Sequence, residues 1–197
     1  MSDQEKHKRK SQKLKEKVDE GIARATEERG IIIVLTGNGK GKSTSGFGNV
    51  TRAVGHGYKA AVAQFIKGQW ECGERNILEQ NGVPFTVMDT GFTWETQSRE
   101  LDTAAARRVW SEIKPYLSDP DYKLVLLDEL TYMLSFKYLD EAEVLEALQS
   151  RPANQSVIIT GRGATTALRD IADTVSEVKE IKHAYQAGIM AQKGIDW

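Results

Sequence analysis

Apolar residues fall into two rhythms along this chain. Runs of aliphatic and β-branched residues with little alternation occupy 31–35, 59–66, 123–127, 156–160 and 174–180, and each reads as a strand. Residues 84–88 form a shorter run that opens on Pro84, which brings no N–H to a ladder and so belongs at a sheet edge. Between these runs the apolar spacing changes to that of a helix, over 43–54, 74–80, 103–117, 141–149 and 165–172. In the longest of them Ala106, Val109, Trp110, Ile113 and Leu117 share one face. Strands without alternation are buried on both sides. The expected fold is therefore α/β: a three-layer α/β/α domain around a mostly parallel sheet.

Residues 1–29 follow neither rhythm. Lys6, Lys8, Arg9, Lys10, Lys13, Lys15 and Lys17 crowd the start, so 1–10 read as a frayed, solvated helix. Leu14, Val18, Ile22 and Ala25 then make a thin stripe at helical spacing. A helix over 11–28 would dock on the body, on a second subunit, or as a lid over the site. The chain thus divides into an N-terminal charged extension, 1–29, and a body, 30–197.

Composition narrows the class. A length of 197 residues suits one domain with a sizeable core. A formal net charge of -1 argues against a nucleic-acid binder driven by phosphate neutralisation. Cys72 is the only cysteine, which allows no internal disulfide and fits a reducing compartment. No apolar run is long enough to span a membrane, and the charged N-terminus lacks a signal core. A cytoplasmic location is expected.

The chemistry is concentrated at strand ends. The first strand runs into Thr36-Gly37-Asn38-Gly39-Lys40-Gly41-Lys42-Ser43-Thr44, a glycine-rich turn that opens a helix. Such a loop aims backbone N–H groups at phosphate oxygens, Lys42 reaches the outer phosphates and the Ser43 hydroxyl ligates Mg²⁺. The usual spacing would put the first glycine at position 36, so the loop is tighter at its start. The buried strand 123–127 ends in Asp128 and Glu129, and one of these carboxylates would hold the metal. Glu129 either orients an attacking water or is itself a metal ligand. Arg162, between Gly161 and Gly163 at another strand end, either clamps an anion or is solvated in a turn. Gln64-Phe65-Ile66-Lys67-Gly68 points to the same edge. In the loop Gly91-Phe92-Thr93-Trp94-Glu95-Thr96, Phe92 and Trp94 fall on one side of an extended segment. Two such aromatics suit a large flat apolar ligand or a partner surface, or else they fill the core. His7, His56 and His183 lie outside these loops, and Cys72 reads as a thiol without special role in a polar loop. The chemistry offers no protein acid–base relay.

Taken together, residues 37–43, 64–68, 91–96, 127–132 and 160–163 resemble the phosphate-loop ATP:corrinoid adenosyltransferases, with five segments in the same order over nearly the whole chain. The short loop is how that family's loop looks. The resemblance implies that a reduced corrinoid attacks the 5′ carbon of ATP, held reversed in the loop, and releases triphosphate. It implies that Gly37, Asn38, Gly39, Lys40, Gly41, Lys42, Ser43, Thr44 and Arg162 bind ATP, and that Lys42 stabilises the leaving group. Mg²⁺ would be held by Ser43 and Glu129, beside Asp128. Phe92 and Trp94 would displace the corrinoid's lower axial ligand. A homodimer and a reducing flavoprotein such as flavodoxin are the implied partners. An ATPase or small-molecule kinase would release phosphate or a phosphorylated acceptor instead, and a nucleotide-binding switch would turn nothing over.

Overall fold

The computed structural model describes residues 2–66, 71–89 and 98–197. The strands are β1 (Ile32–Thr36), β2 (Lys59–Gln64), β3 (Phe85–Val87), β4 (Tyr122–Asp128), β5 (Ser156–Thr160) and β6 (Thr174–Glu177). They form one sheet in the order β3-β2-β4-β5-β1-β6, and every pairing in it is parallel. The helices are α1 (Asp3–Arg24), α2 (Lys42–Gly55), α3 (Gly73–Gln80), α4 (Arg99–Ser118), α5 (Leu130–Ser135), α6 (Glu141–Gln149) and α7 (Thr166–Asp170).

Both faces of the sheet are covered over β1, β2, β4 and β5, whereas β6, expected to be buried like them, is exposed at every residue because it closes an edge of the sheet. On one side Ala61, Ala63, Val125, Leu127 and Ile159 pack with Val109 and Ile113 of α4 and with Val144 and Leu148 of α6. On the other, Ala60, Val62, Leu124, Leu126 and Ile158 pack with Phe47 and Val50 of α2 and Leu78 of α3. Fully burying each such aliphatic or aromatic side chain stabilises the fold by ~1.5–3 kcal/mol. One contact on this second side positions the chemistry. A Cβ on Gly46 would lie 2.8 Å from Leu126 Cδ1 and 3.4 Å from Thr160 Cγ2. Glycine there lets the first turns of α2 sit directly on the ends of β4 and β5.

Most elements match the sequence pattern, with instructive departures. β3 is one of the two edge strands, as Pro84 suggests, and β6 is the other. The apolar stretch after Glu129 forms α5, which had no distinct periodic signal of its own. β6 stops at Glu177 rather than running to 180, and a 3₁₀ turn follows at Ala184–Ala187. At the N-terminus, residues 3–10 are helical and exposed, as a solvated helix requires. α1 starts at Asp3, where Ser2 and Glu5 form a reciprocal capping box and Asp3 and Glu5 complement the helix dipole. It ends at Arg24, short of residue 28, and none of its residues is buried. Leu14, Val18 and Ile22 are exposed along its stripe.

Candidate nucleotide site

The sheet order brings three strand ends together. β5 lies between β1 and β4, so the loop after β1, Thr160 at the end of β5, and Asp128 at the end of β4 are adjacent. The loop turns through Gly37 (φ 101°) and Gly41 (φ 114°), backbone that side chains with a Cβ rarely adopt. Its tight start has a tertiary cause. A Cβ on Gly37 would meet the Val178 carbonyl at 2.5 Å, and the Gly39 N–H donates to that same oxygen at 2.7 Å. The segment after β6 therefore packs against the loop. Gly41 caps α2 with no side-chain bond, so the first N–H groups of that helix have no side-chain cap.

Lys42 is almost fully buried, and its ammonium donates to the Gly39 carbonyl at 2.7 Å. Burial lowers its pKa, and nearby Arg162 lowers it further, against the pull of Glu129 and Asp128. Asp128 is entirely buried. The Thr160 hydroxyl donates to its Oδ1 at 2.7 Å and accepts the Glu129 N–H at 2.9 Å, while Asp128 Oδ2 has no hydrogen-bond partner. Glu129 holds a left-handed backbone (φ 61°), a strained conformation typical of functional turns. Behind it, Thr131 Oγ1 donates to the Arg162 carbonyl at 2.7 Å. Burial and the Glu129 charge raise the pKa of Tyr132, which Arg162 partly offsets.

These groups open onto a cavity of about 610 Å³. The structure brings Asn38, Gly39, Lys40, Gly41, Lys42, Ser43, Thr44, Glu129 and Arg162 to its wall. Gly37 shapes the loop from behind, and Asp128 lies beneath the surface, fully covered. Phe92 and Trp94 fall outside the described residues, as do Lys67 and Gly68. One reading needs correction. His183, expected outside the site, lines this cavity with residues 194–197, because the chain after β6 folds back over the loop. Asp196 pairs with Lys40, and Lys193 with Glu71 at 2.7 Å. Cys72 does lie in the loop before α3, but its side chain is buried in the core and its thiol donates to Glu74 Oε2 at 3.3 Å. Sequence reasoning placed Thr160 and Tyr132 in the segments 160–163 and 127–132 but gave neither a role. The local signal for a role of Thr160 was a polar residue closing the apolar strand 156–160.

The donors near Lys42 are oxygens: a serine hydroxyl and two carboxylates. Among the described residues no three His, Cys, Asp or Glu side chains gather as a metal cage. A hydroxyl, one or two carboxylates and an unpartnered buried oxygen fit Mg²⁺, which keeps waters and takes its other ligands from phosphates.

Residues 28–197 match the family described as ATP:corrinoid adenosyltransferase BtuR/CobO/CobP. The chain belongs to this family. The corrinoid adenosyltransferase of Escherichia coli K12 is 58% identical over 197 residues, covering 100% of both chains. The corrinoid adenosyltransferase CobA of Salmonella typhimurium LT2 matches at 58% over the same full length. That of Pseudomonas aeruginosa is 48% identical over 195 residues, 98% of this chain and 96% of its own. An ATP:corrinoid adenosyltransferase takes ATP and a corrinoid as substrates, and the cavity at the phosphate loop suits the first of them. The family match begins four residues after the end of α1, whereas the full-length relatives align across that helix as well.

Proposed function

We propose that this adenosyltransferase seats the triphosphate of ATP on residues 37–44 and transfers the 5′-deoxyadenosyl group to the cobalt of a reduced corrinoid. The observation that carries the reading is the convergence of Lys42, the uncapped start of α2 and Glu129 on one cavity. The Co(I) electron pair forms the cobalt–carbon bond at C5′. The C5′–oxygen bond breaks, and its electrons leave with triphosphate. Cobalt(I) has no proton to lose, so no general base is needed. The work left to the protein is to orient ATP and to stabilise negative charge on the leaving group. Lys42 and the loop N–H groups serve that end, and Arg162 at the cavity wall adds a second cation.

Ser43 and Glu129, with Asp128 behind them, are the residues that would hold Mg²⁺, which when bound neutralises phosphate charge. Thr160 holds Asp128 and the Glu129 backbone in place for it. Phe92 and Trp94 are assigned to the corrinoid's lower face, where an apolar wall offers cobalt no donor. The exposed stripe of α1 suits docking in a homodimer, as a cover for a corrinoid site. A reduced flavoprotein supplies the electron, and the enzyme works in the cytoplasm. No helix among the described residues is long and apolar enough to cross a membrane.

The test is a product assay with Mg²⁺-ATP and chemically reduced cob(I)alamin. A light-sensitive alkyl-cobalt spectrum with stoichiometric triphosphate is expected. Orthophosphate without a cobalt–carbon bond would overturn the reading. Phe92→Ala with Trp94→Ala should spare ATP binding and impair the reaction from cob(II)alamin.

A further inference from the structure

Gln64 closes β2 with a side chain that is fully buried, and neither its amide nitrogen nor its amide oxygen has a hydrogen-bond partner. Its register partner on β4 is Asp128, whose Oδ2 is also buried and unpartnered. Strand alternation fixes which way both side chains project. Ala60 and Val62 on β2, Leu124 and Leu126 on β4, and Ile158 on β5 all pack beneath α2 and α3. Two residues further along each strand stand Gln64, Asp128 and Thr160, on that same side. They form a polar row across three adjacent strand ends, under the first turns of α2. Thr160 satisfies one oxygen of Asp128. Toward β2, Asp128 Oδ2 and both polar atoms of Gln64 remain.

Another buried glutamine shows what a structural role looks like in this protein. Gln155 donates from Nε2 to the carbonyls of Tyr116, Asp119 and Tyr122 at 2.9, 3.1 and 2.9 Å, tying the end of α4 to the start of β4. Gln64 makes no such bond. An amide buried without partners loses its hydration uncompensated, and a leucine would fill the strand end without that cost. Gln64 lies two residues before Ile66, which lines the cavity at the phosphate loop.

We propose that Gln64 is a positioning residue of the nucleotide site: its amide, beside Asp128 Oδ2, holds the water shell of the divalent cation that accompanies ATP. The inference rests on the Mg²⁺ reading above. Mg²⁺ surrenders its waters reluctantly, and each bound water needs an acceptor for its protons. Gln64 Oε1 and Asp128 Oδ2 are two such acceptors at neighbouring strand ends. A neutral amide also keeps a third negative charge away from Asp128 and Glu129. Cation binding then depends on the triphosphate being present.

The experiment uses the full chain, with Mn²⁺ as a paramagnetic probe and calorimetric titration of ATP with and without the metal. In Gln64→Leu, Mn²⁺ affinity in the presence of ATP should fall by ~10-fold or more, as outer-shell losses do, with metal-free ATP affinity unchanged. Gln64→Glu, nearly isosteric, should bind Mn²⁺ more tightly than wild type even without ATP, and it keeps the test open if the leucine variant does not fold. Equal losses with and without metal would mark Gln64 as merely structural and overturn the inference. So would metal affinities unchanged in both variants. A wild-type protein whose ATP affinity ignores the metal would overturn the Mg²⁺ reading itself, an outcome distinct from unchanged variants in a metal-dependent wild type.

Discussion

The hydroxyl of Thr160 donates to Asp128 Oδ1 at 2.7 Å while it accepts the N–H of Glu129 at 2.9 Å. One oxygen at the end of β5 thus fixes both carboxylate-bearing residues at the end of β4. Thr160→Val keeps the shape and removes the hydroxyl, leaving a buried carboxylate oxygen and a backbone N–H unmet. The expected loss is ~1–3 kcal/mol, read as a lower denaturant midpoint at unchanged slope. Thr160→Ser should retain most of the stability and the ATP affinity.

Lys42 is buried against its own loop, and burial lowers its pKa. Lys42→Met should cut adenosylation by ~10²–10³-fold, the usual cost of removing one preorganised charge stabiliser. Stability should respond in the opposite sense. In the window between the lowered folded pKa and the ordinary lysine value near 10.5, the unfolded chain holds the proton and the folded one releases it. Stability from this group therefore rises with pH there. Subtracting Lys42→Met from wild type in denaturant titrations across alkaline pH should isolate that rise.

Gly161 (φ 132°) passes so close to α5 that a Cβ would meet Thr131 Oγ1 at 2.1 Å and Glu129 Oε2 at 3.0 Å. Gly161→Ala should cost ~2–4 kcal/mol through backbone strain and displacement of Thr131, and weaken ATP binding by moving Glu129. Gly163 (φ 66°) has open space around its Cα. Gly163→Ala should cost only ~1 kcal/mol, the left-handed penalty alone. Equal melting temperatures for the two variants would refute this account.

Asp173 anchors the start of β1, accepting from Arg29 and from the Ile32 N–H at 2.8 Å. The bond to Arg29, then the one from Ile32, hold its pKa below the usual value of 3.8. Its contribution is complete above that value and is lost as pH falls through the lower folded pKa. Asp173→Asn should therefore lower stability at neutral pH and flatten its decline below about pH 4, seen in acid unfolding curves.

The fold was legible because the information was local. Runs such as 31–35 and 123–127 bury their apolar side chains between two layers of helices, and the Gly-Lys-Ser turn stands directly after the first of them. The phosphate loop and the Asp128-Glu129 pair were readable for the same reason, since each is set by a few consecutive residues. His183 and residues 194–197 were not. Their place on the cavity wall follows from the chain doubling back after β6 onto Gly37 and Gly39, a contact across some 140 positions that no periodicity records. The Ser2–Glu5 capping box at the start of α1 went unread because the lysine run masked it.

By itself the sequence determined the α/β class, the phosphate loop and the acidic strand end, because hydrophobic period and turn chemistry act over a handful of neighbouring residues. Only the tertiary structure decided that β5 lies between β1 and β4. That order sets Thr160 between the loop and the carboxylates and lines Gln64 up with Asp128. Strand order depends on which buried faces pack together across the whole chain, and burial energy summed over distant contacts leaves no mark at any one position.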